Sequence, residues 1–210
     1  MSEINFNKNN SCLVIIDYQN DFILPKGSAY IRGSEDIIDS IVSLASIYRL
    51  EKRPIIHVIR IYSPDGSNAE LCRRERIKES NGIVSPNTWG INIDKNILGG
   101  KEIKLSIDIL LQKQFQEVNE NEWIMYKPRW GAFYNTELES FLTSKQIDSI
   151  LVCWCNYPNC PRTTIYEASE RDFKIGIIPN SISGIYKKDI KELESIGVTI
   201  LTINSLRNSV

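Results

Sequence analysis

The chain has 210 residues, of which 42% are hydrophobic and 24% charged, the composition of an ordinary globular protein. Its 25 lysines and arginines balance 26 aspartates and glutamates, so it lacks the basic excess of a nucleic-acid-binding protein. No apolar run reaches the length of a membrane span, and the polar N-terminus lacks the apolar segment of a signal peptide. We therefore expect a single cytoplasmic domain over residues 1–210, with neither nucleic acid nor membrane as a partner.

Cysteine and histidine usage narrows the possible chemistry. Five cysteines, an odd count without a secretory signal, indicate reduced thiols rather than a disulfide framework. The chain has one histidine, His57, which excludes a zinc site built from several histidines. We predict no metal and no cofactor. An enzyme that used a cysteine here would need a group other than histidine to activate it.

Short apolar segments alternate with helical ones along the chain, a pattern typical of one doubly wound α/β domain. β-Branched runs predict strands that are buried on both faces, as in parallel sheets. We predict a three-layer arrangement around a six-stranded, mostly parallel sheet with strand order 3-2-1-4-5-6. Residues 63–122 are less regular, and we expect this insertion to be a lid or a subunit contact. The predicted strands are 13–16, 54–61, 122–126, 149–155, 174–178 and 198–203, and the predicted helices are 35–48, 70–76, 136–142, 160–173 and 187–196.

Three chemically reactive side chains follow predicted strands. Asp17 ends the first strand, Lys127 ends the third, and Cys160 opens the helix after the fourth. Ligands of open parallel sheets bind beyond the carboxyl ends of the strands, where these groups can meet. The pKa of a thiol falls at a helix N-terminus and beside a cation, and a carboxylate can accept the thiol proton and later activate water. The pattern therefore predicts a nucleophile, a cation and a base, although such residues also occur at strand ends by chance.

Three segments resemble motifs of the isochorismatase-like cysteine hydrolases. Residues 15–22, IIDYQNDF, resemble the opening motif D-x-Q-N-D-F. Residues 127–138, KPRWGAFYNTEL, resemble K-x-R-x-S-A-F-x-x-T-x-L, with Gly131 in place of the serine. Residues 155–164, CNYPNCPRTT, resemble the nucleophile segment T-N-x-C-V-x-x-T, with Pro161 in place of the small aliphatic residue. The motifs occur in family order, and the resemblance covers about residues 11–185.

The resemblance implies a catalytic triad. Cys160 would be the nucleophile, Asp17 the base and Lys127 the cation. It also implies a cis peptide bond between Cys155 and Asn156, which would make the backbone N–H groups of Asn156 and Cys160 an oxyanion hole. A homo-oligomer, dimer or tetramer, is expected for the same reason.

Aromatic and polar side chains near the motifs are candidates for substrate contact, since aromatic walls are common in small-molecule pockets. Phe22 and Trp130 flank triad residues in sequence. His57, in the middle of a predicted strand, is expected to be a core or interface residue. The three arginines at 73, 74 and 76 are expected to form a solvated helix face or a subunit contact. The predicted substrate-binding residues are Phe22, Trp130, Tyr157 and Gln19.

The resemblance implies hydrolysis of a carbon–nitrogen bond, in an amide, carbamoyl or lactam group of a small molecule, through a thioester on the cysteine. Nicotinamidases of this family carry a D-x-H-P metal motif, and residues 61–64 of this chain read IYSP, so nicotinamidase activity is not expected. A streptothricin-type lactamase is a minor possibility. The alternatives are an isochorismatase-type ether hydrolase, a non-enzymatic α/β protein, and a redox-sensing protein that uses Cys155 and Cys160.

Overall fold

A seven-stranded sheet forms the centre of the protein in a computed structural model, which describes residues 6–80 and 82–207. Its strands are β1 (Ser11–Ile16), β2 (Ile55–Ile59), β3 (Gln116–Asn119), β4 (Glu122–Tyr126), β5 (Ser149–Trp154), β6 (Lys174–Ile182) and β7 (Thr199–Ile200). The spatial order is β3-β4-β2-β1-β5-β6-β7, and all neighbours are parallel except β3 and β4. The predicted fold class is confirmed. The predicted order of six strands is also found, and β3 is an additional antiparallel edge strand.

Helices cover both faces of the sheet and account for the predicted three layers. They are α1 (Asn20–Ile23), α2 (Ile38–Leu50), α3 (Leu71–Glu79), α4 (Ile107–Leu111), α5 (Leu138–Ser144), α6 (Cys160–Ser169), α7 (Lys187–Ser195) and α8 (Ile203–Leu206). The predicted helix 35–48 begins with a 3-10 turn, Glu35–Ile37, which continues into α2, and the Ser34 hydroxyl before it donates to the carbonyls of Phe22 and Ile31. The predicted start of the helix at 136 was wrong by two residues: α5 begins at Leu138, and Asn135 precedes it with a φ of 53°.

Alternating side chains of the buried strands fill two apolar layers. In β1, Leu13 and Ile15 face the layer that contains α2, whereas Val14 and Ile16 face the layer that contains α5 and α6. Every residue of β1 is buried, which explains why all of them after Ser11 are apolar. The carboxyl end of β1 is therefore held firmly at the centre of the sheet. Among the described residues, no helix combines the length and apolarity needed to cross a membrane.

Part of the 63–122 insertion is attached directly to the loop that follows β1. The Asp21 carboxylate accepts the N–H of Val84 at 2.6 Å, and the Gln19 amide donates to the carbonyl of Ile91 at 2.9 Å. A β-carbon at Gly90 would lie 2.0 Å from the Asp21 carboxylate, so only glycine allows this approach. These contacts place the segment beside the carboxyl end of the sheet.

Candidate active site

Asp17 and Lys127 meet as a buried ion pair at the carboxyl edge of the sheet. Asp17 follows β1 with a φ of 57°, and its N–H donates to the carbonyl of Val58 at 2.9 Å. Lys127 follows β4, and its side chain is completely buried. Its Nζ lies 3.1 Å from Asp17 Oδ2 and 3.2 Å from the carbonyl oxygen of Trp130. The ends of two parallel strands thus fix an acid and an amine against each other.

Cys160 lies beside this pair, as the first residue of α6 beyond the end of β5. Pro161 occupies the first turn of the helix, where its missing N–H costs nothing. Cys160 and Asp17 line the same cavity, which has a volume of about 160 Å³. The structure therefore brings Asp17, Lys127 and Cys160 together, as the strand-end argument predicts.

The charges of the site leave the proton on the thiol. Burial raises the pKa of Asp17, but the charges of Lys127 and Arg60 and the neighbouring Cys160 thiol together hold it below its ordinary value. The pKa of Cys160 is raised, because burial and the Asp17 carboxylate outweigh the effect of the two cations. The expectation of a lowered thiol pKa is wrong: Lys127 does act to lower the pKa of Cys160, but burial and the Asp17 charge raise it by more. At rest, Asp17 is a carboxylate and Cys160 a thiol, the protonation states that a base and its nucleophile need.

One carboxylate oxygen of Asp17 is free to take that proton. Oδ2 accepts a hydrogen bond from Lys127, whereas Oδ1 is buried and has no hydrogen-bond partner among the described residues. The Cys160 thiol is the neighbour that helps to lower the pKa of Asp17. The thiol and the carboxylate are therefore neighbours that affect each other's protonation.

The predicted oxyanion hole is not formed as expected. Within the described residues no peptide bond is cis, so the bond between Cys155 and Asn156 is trans, and the prediction of a cis bond was wrong. The Asn156 N–H donates to Ser183 Oγ at 2.8 Å and is thereby directed towards the end of β6. The Asn156 residue still lines the cavity. The Cys160 N–H lies in the first turn of α6, where helix N–H groups have no partner within the helix.

Of the four predicted substrate-binding residues, one lines the cavity and three do not. Phe22 lines the cavity. Trp130 does not appear in the cavity lining, and its ring contacts the guanidinium of Arg73 at 4.1 Å instead. The structure places Gln19 and Tyr157 away from the cavity. Both polar atoms of the Gln19 side chain form hydrogen bonds to the backbone of Arg60 and Ile91. The ring of Tyr157 stacks on Trp154, with the ring centroids 6.0 Å apart.

His57 and the second cysteine of the site have structural partners. His57 is buried in β2, and its Nε2 lies 2.7 Å from Glu122 Oε1. Cys155 donates its thiol to the backbone carbonyl of Asp17 at 3.4 Å, and burial raises its pKa well above the ordinary value. Redox-sensing thiols have lowered pKa values, so the environments of Cys155 and Cys160 argue against that alternative. In 6–80 and 82–207, no three His, Cys, Asp or Glu side chains group as a metal site.

Arg60, Arg73 and Arg76 were not predicted as residues of the site. Arg60, one residue beyond β2, is fully buried, pairs with Glu70 at 2.5 Å and lies 3.8 Å from Cys160 Sγ. The sequence feature that could have identified Arg60 is its position, an arginine in a run of apolar residues at the end of a buried strand. Arg73 and Arg76 of α3 line the cavity; Arg73 is half-buried, whereas Arg76 is exposed, as the prediction of a solvated helix face has it.

Known proteins resemble this chain in sequence and fold. The model of the isochorismatase domain family matches residues 110–205. A probable inactive nicotinamidase of Arabidopsis thaliana is 25% identical over 201 residues, 93% of each chain. N-carbamoylsarcosine amidase of an Arthrobacter species is 26% identical over 176 residues, which are 84% of this chain and 60% of that protein. The crystal structure of an isochorismatase family protein from Desulfovibrio vulgaris superimposes with a TM-score of 0.76 at 28% identity, over 96% of this chain and 97% of the other.

Proposed function

Because the chain belongs to the isochorismatase-like cysteine hydrolase family, we propose that it hydrolyses a carbon–nitrogen bond of a small amide, carbamoyl compound or lactam. The observation that carries the proposal is that Asp17 and Cys160 line one cavity and that buried Lys127 is paired with Asp17 behind it. The relative named N-carbamoylsarcosine amidase supports an amide-type bond. One relative is named as probably inactive, so activity itself is the first thing to measure.

In the first half of the reaction, Asp17 accepts the thiol proton while Cys160 Sγ forms a bond to the substrate carbonyl carbon. The carbonyl π electrons move to the oxygen, and the negative charge is stabilised by the N-terminal end of α6. When the oxyanion collapses, the C–N bond breaks and the leaving nitrogen takes the proton from Asp17. Ammonia or an amine departs, and the acyl group remains on Cys160 as a thioester.

In the second half, a water molecule attacks the thioester while Asp17 accepts one of its protons. The C–S bond breaks, and the proton returns to Cys160 as the acid is released. The balance is one amide and one water to one acid and one amine. Lys127 holds Asp17 in the carboxylate form at each resting stage, because its ammonium group lowers the pKa of that residue.

The cavity has room for a small chemical group next to Cys160. Its volume of about 160 Å³ is close to that of an engineered protein cavity of about 150 Å³ that binds benzene. The reacting part of the substrate is therefore small. We also propose that the protein works as a homo-oligomer in the cytoplasm, and its five free thiols agree with a reducing compartment.

The decisive experiment measures product release from a panel of small primary amides, ureas and lactams. We expect ammonia, amine or ring-opened product from at least one class, and a mass increase on Cys160 in acid-quenched protein. Cys160→Ala should abolish both signals, whereas Cys72→Ala, which removes an exposed thiol outside the cavity lining, should leave them unchanged. Product formation at wild-type rates by Cys160→Ala would refute the mechanism.

A further inference from the structure

The cavity at Cys160 is more basic than the proposed reaction requires. Arg73 and Arg76 line it, and Asp17 is the one acidic residue among its described lining residues. Asp17 is already paired with Lys127. Neither arginine forms a salt bridge within the described part of the chain. This wall of the cavity therefore carries positive charge without a carboxylate to balance it.

Arg73 is held in a defined position. Its Nη1 donates to the Tyr62 hydroxyl at 2.7 Å, and its guanidinium lies 4.1 Å from the centroid of the Trp130 ring. The side chain is half-buried, and both contacts leave further N–H groups for a ligand. A guanidinium that is already oriented loses little conformational entropy when an anion binds.

A second guanidinium lies next to the nucleophile. Arg60 contacts the same Trp130 ring at 5.9 Å, and its Nη2 interacts with both Glu70 and Cys160. Its Nε and Nη1 are buried and have no hydrogen-bond partner among the described residues. Arg60 is absent from the cavity lining and fully buried, so it acts on a bound ligand through its charge and not through these two donors.

We propose that this site selects substrates that carry a carboxylate beside the scissile amide or carbamoyl group, with Arg73 as the residue that binds the carboxylate. The inference rests on the proposed function and adds a substrate class to it. Arginine is suited to a carboxylate because the planar fork of N–H donors matches its two oxygens. The neighbouring apolar lining, with Phe22 and Ile77, suits a short hydrocarbon body between the two polar ends. Arg60 adds positive charge at the end nearest Cys160.

Two alkylating reagents of nearly equal size test charge selection without requiring hydrolysis. Iodoacetate is an anion and iodoacetamide is neutral, and both alkylate thiols. We expect the ratio of the iodoacetate rate to the iodoacetamide rate at Cys160, measured by peptide mass spectrometry at pH 9, to fall about tenfold in Arg73→Gln. Arg73→Lys should keep part of the preference. Arg74→Gln is the matched control, because Arg74 lies on the same helix but bonds to the carbonyls of Ala69 and Ser67.

An unchanged ratio in Arg73→Gln would overturn the proposal, as would equal falls in Arg73→Gln and Arg74→Gln. Failure of both reagents to reach Cys160 would also count against it, since the cavity would then not admit a ligand of this size. The arginine variants are checked by circular dichroism, and any variant that is unfolded is replaced by Arg73→Met.

Hydrolysis provides the second measurement. Succinamate and its methyl ester differ mainly in the charge of one group, and we expect kcat/KM for ammonia release to be at least tenfold higher for succinamate. Arg73→Gln should remove this difference mainly through KM for succinamate, with little change for the ester. If charge selection appears in the alkylation rates but no amide is hydrolysed, the proposed function fails and the anion site stands. If both amides are hydrolysed equally by the wild-type protein, the anion site fails and the hydrolase stands.

Discussion

The two ends of β4 carry two buried carboxylate sites with opposite properties. At its amino end, both oxygens of Glu122 are occupied: Oε1 contacts His57 Nε2 at 2.7 Å and Arg49 Nη2 at 2.6 Å, and Oε2 contacts Arg49 Nε at 2.9 Å. At its carboxyl end, Lys127 donates a hydrogen bond to only one oxygen of Asp17. The other oxygen of this cavity-lining residue has no hydrogen-bond partner among the described residues.

The difference separates a structural carboxylate from the one that we propose as the base. Both carboxyls have pKa values below their ordinary ones, so the direction of the shift alone does not distinguish them. The hydrogen-bond partners of the two carboxylates do distinguish them. Both oxygens of Glu122 have hydrogen-bond partners, whereas Asp17 Oδ1 has none among the described residues and the Cys160 thiol is its neighbour. In the mechanism that we propose, Asp17 is therefore the carboxylate that exchanges a proton.

Asp17→Asn gives the largest expected effect. The amide keeps the shape of the side chain but cannot accept the thiol proton, so kcat should fall about 10³-fold on the best substrate of the panel. Steady-state kinetics measure this, with circular dichroism as the test of folding. Glu122→Gln, at the other end of β4, is the matched control and should keep kcat. Loss of less than fivefold in Asp17→Asn would show that the base is a different group.

Glu122→Gln should instead lower the free energy of unfolding, by about 2 kcal/mol, because it breaks a buried pair whose arginine can still reach water. Arg49 is 19% exposed. The effect should depend on pH. Despite its burial, Glu122 has a pKa lowered from 4.5 to about 2 by hydrogen bonds and charges from Arg49 and His57.

A carboxyl whose pKa is lower in the folded state adds stability above the unfolded pKa, and this stability is lost as the pH falls through the folded pKa. Urea unfolding between pH 7 and pH 2 should therefore show a steep loss below about pH 4.5 that is weaker in Glu122→Gln. Identical slopes in both proteins would assign the acid sensitivity to other carboxyls.

A smaller loss of stability is expected for Gly131→Ala, close to the candidate active site. An alanine β-carbon there would lie 2.0 Å from Glu167 Oε2, which accepts the Phe133 N–H at 2.9 Å. Glu167 is a long side chain and can rotate away, so Gly131→Ala should cost about 1 kcal/mol, the value of the hydrogen bond that is lost. Thermal unfolding of Gly131→Ala, Glu167→Ala and the double variant measures the coupling. Additive losses would mean that the two residues do not interact.

Much of this fold could be predicted from local sequence. After an initial serine, strands such as β1 and β5 are continuous runs of buried apolar residues, and this pattern has few alternatives. β3, with sequence QEVN, was missed because an exposed edge strand needs no apolar pattern. The meeting of Asp17, Lys127 and Cys160 followed from the general rule that carboxyl ends of parallel strands share one edge.

Other parts of the site depend on contacts between distant residues. The direction of the Asn156 N–H is set by Ser183, 27 residues later in the chain. The face of α3 that meets the cavity depends on the path of the whole 63–122 segment, which has no periodic pattern. The pKa of Cys160 depends on burial and on the Asp17 charge, and neither is encoded in the residues next to the cysteine. Local motifs therefore located Asp17, Lys127 and Cys160. They did not predict the protonation states of these residues or the presence of Arg73 and Arg76 in the cavity lining.

The smallest expected effect tests a residue that sequence motifs favoured. Tyr157 lies within the nucleophile segment, yet its ring is buried against Trp154, and its hydroxyl has no hydrogen-bond partner among the described residues. Tyr157→Phe removes only an unpaired polar atom, so the free energy of unfolding should change by less than about 0.5 kcal/mol or rise slightly. KM should stay within twofold of the wild-type value, unlike in Arg73→Gln with a carboxylate substrate. A large rise of KM in Tyr157→Phe would mean that the hydroxyl reaches the substrate after all, and that selectivity is not confined to the wall formed by α3.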